Sequence, residues 1–323
     1  MAPAVRIIDL HAHVYPDGSL ADIVKGRPEF EIVESPRGGQ VLLYRGSHVM
    51  SLPRGQDDLK KRLDGMDEVG VEFQVLSVGP VNIGWAGSKE AAAARKINDG
   101  LAEACRQHSG RFRFVAALPL ANRTEMLAEL ERALSLGAVG VGITTTIEDQ
   151  TLDAPSLGDF WREADKQKLL VLVHPTFPPN GPRQDQGQFL TVGYLGETAM
   201  AATRLVLSGA LEKNPNVRIV WSHLGGSLSI LIDRLDRSYR RYESCPRPPS
   251  YYLRRCFYDT ACAHGPALDC ARATFGASAL VFGTDEPHVP NAAKDNLAAV
   301  QGRPWPSSDV EAVLRGNAQR LVI

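Results

Sequence analysis

No stretch of the chain carries the ~18 to 20 consecutive apolar residues needed to span a bilayer, which argues against a membrane-embedded protein. The opening Met1-Ala2-Pro3-Ala4-Val5-Arg6 lacks the charged and long apolar regions of a signal peptide. Charge of one sign is also missing. Thirty-six Lys and Arg face 37 Asp and Glu, a formal net charge of -1. Because the two signs are interspersed, neither a basic patch for nucleic acid nor a polybasic membrane tail is present. Cysteine is sparse and odd in number: Cys105, Cys245, Cys256, Cys262 and Cys270, with no C-x-x-C spacing. That usage fits reduced thiols in a cytoplasmic protein, not a disulfide framework. Cys256 and Cys262 fall on or beside an expected strand and read as core, not as nucleophiles. No G-x-G-x-x-G follows the first apolar run and no G-x-x-x-x-G-K-[ST] occurs, so no phosphate-cradling loop is indicated.

What remains is a chain of 323 residues, 44% of them apolar, enough to bury a large core. Apolar, strand-like runs occur at 7–13, 73–78, 112–118, 139–143, 169–174, 217–223, 256–259 and 280–285. Helical patterns lie between them, roughly at 88–108, 123–136, 156–167, 196–213, 225–241, 265–275 and 307–319. Continuous apolar strands imply burial on both faces, the mark of a parallel sheet. Eight such units favour an α/β fold of the (β/α)8 TIM-barrel type, a single domain over 1–323, rather than an open doubly wound sheet. One departure stands out. After the first strand, Phe30–Glu34 and Val41–Arg45 flank a Pro/Gly turn and predict a β-hairpin inserted within 14–56. Asp58 then precedes a helical stripe, Leu59, Leu63, Met66 and Val69, that ends at Gly70. Proline-rich segments around Pro178–Pro182 and at Cys245–Ser250 read as surface loops.

The chemistry collects at strand ends. In a barrel, side chains at the C-terminal ends of the strands converge on one face. His11 and His13 close the first strand, and residues two apart on a strand share a face. His174 closes the fifth strand, His223 the sixth and Asp285 the eighth. Any one of these histidines is more often a core residue bonded to a backbone carbonyl; four of eight in one register with an acid is not accidental. Three imidazoles and a carboxylate suffice for one divalent ion, Zn²⁺ ahead of Mn²⁺ on ligand type. The expected ligands are His11, His13, His174 and Asp285. His223 is left beside them as general acid or base, and Asp285 can also shuttle a proton. Strand four ends in Thr144-Thr145-Thr146, without a lysine that could bridge two metals, which favours a single ion.

As a set, His-x-His, Val-His174-Pro, Ser-His223-Leu-Gly-Gly and Gly-Thr-Asp285-x-Pro resemble the amidohydrolase superfamily. Within it the chain is similar to the aminocarboxymuconate-semialdehyde decarboxylase branch. Segments 76–81, 117–120 and 316–321 share that likeness, as does an insertion after the first strand. The resemblance implies a (β/α)8 barrel, one divalent ion, no organic cofactor and a homodimer. Its implied activity is decarboxylation of an aromatic or muconate-like acid, with hydrolysis or hydration of a related lactone, amide or unsaturated acid as the alternative. A barrel that only binds or assembles would need a broken ligand set, and all five positions are filled. The resemblance also implies two arginines that grip the substrate carboxylate. Arg45 on the hairpin and Arg234, eleven residues after His223, match them, the latter reaching across the dimer. Arginine's planar fork suits a carboxylate. Both could equally be surface charges. Trp85 is placed either to stack on a flat substrate or to pack. Glu286, between Asp285 and Pro287, departs from the family pattern; His288 is read either as a second polar contact or as a solvated loop residue, and His48, just past Arg45, as within reach of the pocket from the hairpin.

Overall fold

A computed structural model describes residues 6–16, 18–36, 38–52, 58–177, 188–261, 263–289 and 291–323. The Pro178–Pro182 loop and Cys262 of the sequence reading lie outside the described residues. Among the described residues thirteen strands follow in chain order. They are β1 (Ile7–His13), β2 (Phe30–Glu34), β3 (Gln40–Tyr44), β4 (Ser47–Leu52), β5 (Val71–Ser77), β6 (Phe112–Phe114) and β7 (Val141–Thr144). The rest are β8 (Thr146–Ile147), β9 (Gln150–Thr151), β10 (Leu170–His174), β11 (Arg218–Trp221), β12 (Phe257–Asp259) and β13 (Leu280–Val281).

The eight strands expected from the apolar runs form two parallel sheets, ordered β1-β5-β6 and β13-β12-β11-β10-β7. Backbone hydrogen bonds cross both gaps between these sheets. Ala116 N–H donates to Gly140 and Gly142 N–H to Ala116, each at 2.9 Å. On the other side Leu10 N–H donates to Phe282 at 2.9 Å and His13 N–H to Glu286 at 2.7 Å.

Period-two alternation divides the buried residues. Leu170 and Val220 join Ile8, Leu10, Phe73, Val75, Val115 and Val281 in one cluster, with Leu172 packed against it. Their neighbours Val171, Val173, Ile219 and Trp221 join the larger cluster that includes the helical residues Leu205 and Leu228. Each such side chain contributes on the order of 1.5–3 kcal/mol when fully buried.

Helices connect the strands and start where the sequence supplies caps. Asp58 accepts from Lys61 N–H at 3.0 Å, and the helix Leu59–Val69 stops at Gly70 with φ 79°. Asn122 caps Arg123–Ser135 through Thr124 and Glu125. Two expected helices are interrupted. The span 196–213 breaks at Gly209, whose φ of 76° ends Tyr194–Leu207 before a short turn of helix at Ala210–Lys213. The span 307–319 loosens into a wide turn at Ala312–Gly316. Helices Ser19–Val24 and Ala292–Gln301 had no sequence counterpart, having little apolar periodicity. Cys245–Ser250 is not wholly a surface loop, since Cys245, Pro249 and Ser250 are buried and Pro249 opens the helix Pro249–Leu253.

The hairpin within 14–56 carries a third strand, so β2, β3 and β4 make an antiparallel meander. Arg45 and Gly46, with φ 48° and 77°, form the tight turn from β3 to β4. Two successive positive-φ residues suit a right-twisted hairpin, but Arg-Gly is a weak signal for such a turn. Tyr194 Oη donates to the Val49 carbonyl at 3.2 Å and His288 Nδ1 to that of Ser51 at 2.8 Å, tying β4 to the strand ends below. No helix among the described residues is long and apolar enough to cross a membrane.

Candidate metal centre

Alternation along β1 turns His11 and His13 to one side, their ring centroids 4.8 Å apart. His174 at the end of β10 lies 5.0 Å from both. His223, just past β11, stands 5.2 Å from His11 and 5.4 Å from His174. Asp285 lies four residues beyond β13. His223 and Asp285 hold left-handed backbone, φ 55° and 64°, a strain common where side chains must be aimed.

Asp285 organises the group. Its Oδ1 is 3.0 Å from His13 Nε2, 3.3 Å from His11 Nε2 and 3.9 Å from His174 Nε2. Its Oδ2 faces His223 Nε2 at 3.2 Å. Three imidazoles thus surround one carboxylate oxygen and the fourth takes the other. The ligand atoms of His11, His174, His223 and Asp285 all lie within 4.8 Å of one another.

The far sides of the rings decide which nitrogen is free. His174 Nδ1–H donates to the Pro175 carbonyl at 2.6 Å, leaving the lone pair on Nε2. That Nε2 is buried with no hydrogen-bond partner. His11 Nδ1 donates to Asp259 Oδ2 at 2.9 Å, and His13 Nδ1 lies 2.8 Å from Ser77 Oγ. Rings backed in this way present Nε2 to a metal. An orphaned nitrogen aimed at a carboxylate oxygen between two further Nε2 atoms fits a divalent cation.

The electrostatics agree. Burial pushes the Asp285 carboxyl up, but His11, His13 and His174 outweigh it and hold it well below the usual range. Burial keeps His13 well below its ordinary value and His174 at about 4, so both rings are neutral and ligand-competent. Burial opposes charge on His11 too, yet Asp259 and Asp285 overcome it and raise its pKa, marking a place where positive charge is favoured.

Glycine makes room for the rings. A Cβ on Gly79 would stand 2.8 Å from His13 Nδ1, and one on Gly283 would stand 2.8 Å from His11 Cβ. The cavity opening on His11, His13 and His174 is walled largely by apolar side chains, among them Val78, Val81, Ile83, Leu118 and Ile143.

Arg45, Arg234 and Trp85 do not line that cavity. Trp85 is 2% exposed, its ring packs 4.7 Å from Phe30 of β2, and it borders the same separate cleft as Arg45. Arg45 is exposed at the β3–β4 turn above the Tyr44 ring and borders a separate cleft of 280 Å³ with Arg27, Glu29 and Glu148. Arg234 is exposed on the helix Leu228–Ser238. Glu286 accepts from Gln74 Nε2 at 2.9 Å. His288 is half-buried between Ser51 and Tyr15 Oη, 5.3 Å from the His13 ring. His48 bonds Ser51 Oγ within the meander.

Three supporting residues escaped sequence reading. Asp259 backs His11, and Ser77 lies behind His13. Asp9 accepts from His11 N–H, Thr284 N–H, Thr284 Oγ and Gln74, joining β1 to β5 and to the segment after β13. Burial pushes the Asp9 carboxyl up to about 7. An acid at a strand end was the only available signal, and Asp259 carried it.

A family model described as Amidohydrolase matches residues 8–322. The chain belongs to the amidohydrolase family. Within that family it is similar to the branch of aminocarboxymuconate-semialdehyde decarboxylase. Its alignment to 2-amino-3-carboxymuconate-6-semialdehyde decarboxylase of Dictyostelium discoideum shows 28% identity over 70% of this chain. That alignment spans 66% of the relative, just under two thirds of its length. Gamma-resorcylate decarboxylase of a Polaromonas species is 31% identical over 81% of this amidohydrolase and 86% of the relative. Among solved structures, a dihydroxybenzoic acid decarboxylase of Polaromonas, crystallised with manganese and 2-nitroresorcinol, matches the fold. It has a TM-score of 0.74 and 22% identity, covering 98% of this chain and 96% of that one.

Proposed function

We propose that this amidohydrolase is a metal-dependent, non-oxidative decarboxylase of an aromatic or muconate-like carboxylic acid. The observation that carries the reading is the grouping about Asp285: three Nε2 atoms around one oxygen, a fourth at the other, beside an apolar cavity. His11, His13, His174 and Asp285 would hold one divalent ion, Zn²⁺ on ligand type, with Mn²⁺ second. When bound, the ion supplies Lewis-acid polarisation of a substrate oxygen. His223, outside that set, moves the proton: its Nε2 gives it to the carbon that bears the carboxylate. The bond from that carbon to the carboxylate then breaks, CO₂ leaves, and the electron pair restores the conjugated system. Apolar walls beside the histidines would keep water away from the proton.

The fold proposed to carry this site is a closed (β/α)8 barrel, one domain over 1–323, with the 14–56 insertion above the strand ends. Hydrogen bonds across both inter-sheet gaps support closure. A cytoplasmic homodimer completes the proposal. The four described cysteines are free thiols, which suits a reducing compartment. Val192, Met200 and Ile230 are 71%, 58% and 73% exposed, and Ile230 shares its helix with Arg234. Exposed apolar surface of this kind fits a second copy. Arg234, exposed on its helix, is proposed to bind the substrate carboxylate at the partner's site.

The test is an anaerobic screen of the Zn²⁺- and Mn²⁺-loaded protein. It covers hydroxybenzoates, aminobenzoates and muconic semialdehydes, followed by ultraviolet change and CO₂ release. CO₂ in step with substrate loss supports the proposal. Ring opening or hydration without CO₂ refutes it in favour of a hydrolase or hydratase.

A further inference from the structure

We propose that Asp259 is the positioning residue of the centre, one carboxylate whose two oxygens set the His11 ring and the His223 backbone separately. Asp259 ends β12 and is 2% exposed. Its Oδ2 accepts from His11 Nδ1 at 2.9 Å. Its Oδ1 accepts from the N–H groups of His223 at 2.9 Å and Ala261 at 3.0 Å. The first bond holds the His11 proton on Nδ1 and so leaves Nε2 free to face Asp285. The second holds His223 where its φ is 55°, a left-handed conformation that a residue with a side chain keeps only when its surroundings fix it.

A third feature points the same way. A Cβ on Gly283 would come within 2.8 Å of His11 Cβ and 3.0 Å of Asp259 Cβ, so the chain narrows to glycine where the two meet. Asp259 therefore joins the residue that would bind the ion to the residue that would move the proton, and acts through both.

The inference rests on the proposed role of His11 as a ligand, and the experiment separates the two. Asp259→Asn keeps the shape. Its amide oxygen can still serve His223 and Ala261, which turns the NH₂ toward His11 Nδ1. The His11 proton must then move to Nε2, where it blocks coordination. Calorimetric titration of metal-free protein with Zn²⁺ and Co²⁺ should show D259N binding ~10- to 100-fold more weakly. The visible spectrum of its Co²⁺ form should differ from wild type. At saturating metal, D259A should turn over more slowly than D259N, because only asparagine keeps the His223 anchor.

If wild type binds no metal, the ligand reading itself fails. If wild type binds and D259N matches it in affinity and spectrum, the inference is overturned. Equal turnover of D259A and D259N overturns its His223 half. Near-ultraviolet circular dichroism checks the fold of each variant. Should D259N not fold, ¹⁵N-histidine spectra of the metal-loaded wild type decide. A protonated His11 Nδ1 upholds the inference, and a protonated His11 Nε2 overturns it.

Discussion

Replacing Gly79 by alanine tests the geometry of the centre without touching a ligand. Gly79 has φ +57°, and a Cβ there would stand 2.8 Å from His13 Nδ1 and 2.9 Å from its Cγ and Cε1. Ordinary contact between such atoms begins at ~3.5 Å, so the His13 ring must retreat by roughly 0.7 Å. The retreat strains the 2.8 Å contact between His13 Nδ1 and Ser77 Oγ. It also exceeds the ~0.2 Å tolerance of a metal–nitrogen bond. The left-handed backbone costs alanine about 1–2 kcal/mol, and the overpacking about 1–3 kcal/mol more. Gly87 supplies the control. Its φ is +55° and its ψ −126°, a backbone open almost only to glycine, and nothing lies within 4 Å of a built Cβ, so G87A carries a backbone cost without the clash. At ~2–4 °C per kcal/mol, the overpacking by itself should lower the melting temperature of G79A by ~2–12 °C. It should also bind Zn²⁺ ~10- to 100-fold more weakly, whereas G87A keeps wild-type affinity. Differential scanning calorimetry and metal titration read the two effects. Equal melting temperatures with unchanged affinity in both variants would refute the argument that Gly79 exists to seat His13.

Other outcomes follow from the same structure. H223N should retain its metal by elemental analysis and lose at least ~10²-fold in turnover, while D285A should lose the metal; an active H223N removes His223 from proton transfer. Glu90, which accepts from Leu120 and Ala121 N–H, is pushed up to about 7 from 4.5, chiefly by burial. Because the folded state holds that proton longer than the unfolded chain does, wild type should lose stability relative to E90Q as pH rises from 4.5 to about 7. Parallel denaturation curves of the two across that window would rule this out. Mixing H223N and R234A protomers should restore activity above either parent if Arg234 serves the neighbouring site. Failure to do so in a mixture shown to form heterodimers confines Arg234 to its own protomer.

Much of the architecture was legible because its signals are local. A two-residue period along β1 puts His11 and His13 on one face whatever the rest of the chain does. Likewise, Asp58 and Gly70 bound their helix through bonds to residues three or four positions away. The meander's third strand escaped because Arg45-Gly46 lacks the asparagine or aspartate that usually marks so tight a turn. Arg45 stacks on its chain neighbour Tyr44, whereas Trp85 packs on Phe30 of β2, a contact that the placement of the meander decides and not chain proximity.

The sequence by itself determined that five polar side chains would end apolar strands, because strand periodicity and ligand chemistry are properties of neighbours in the chain. Only the tertiary structure decided that Asp285 turns one oxygen to three imidazoles and the other to His223. Only it decided that Asp259 stands behind His11 across a separation of 248 positions. Such pairings depend on strand order and register, and these emerge when the whole core packs.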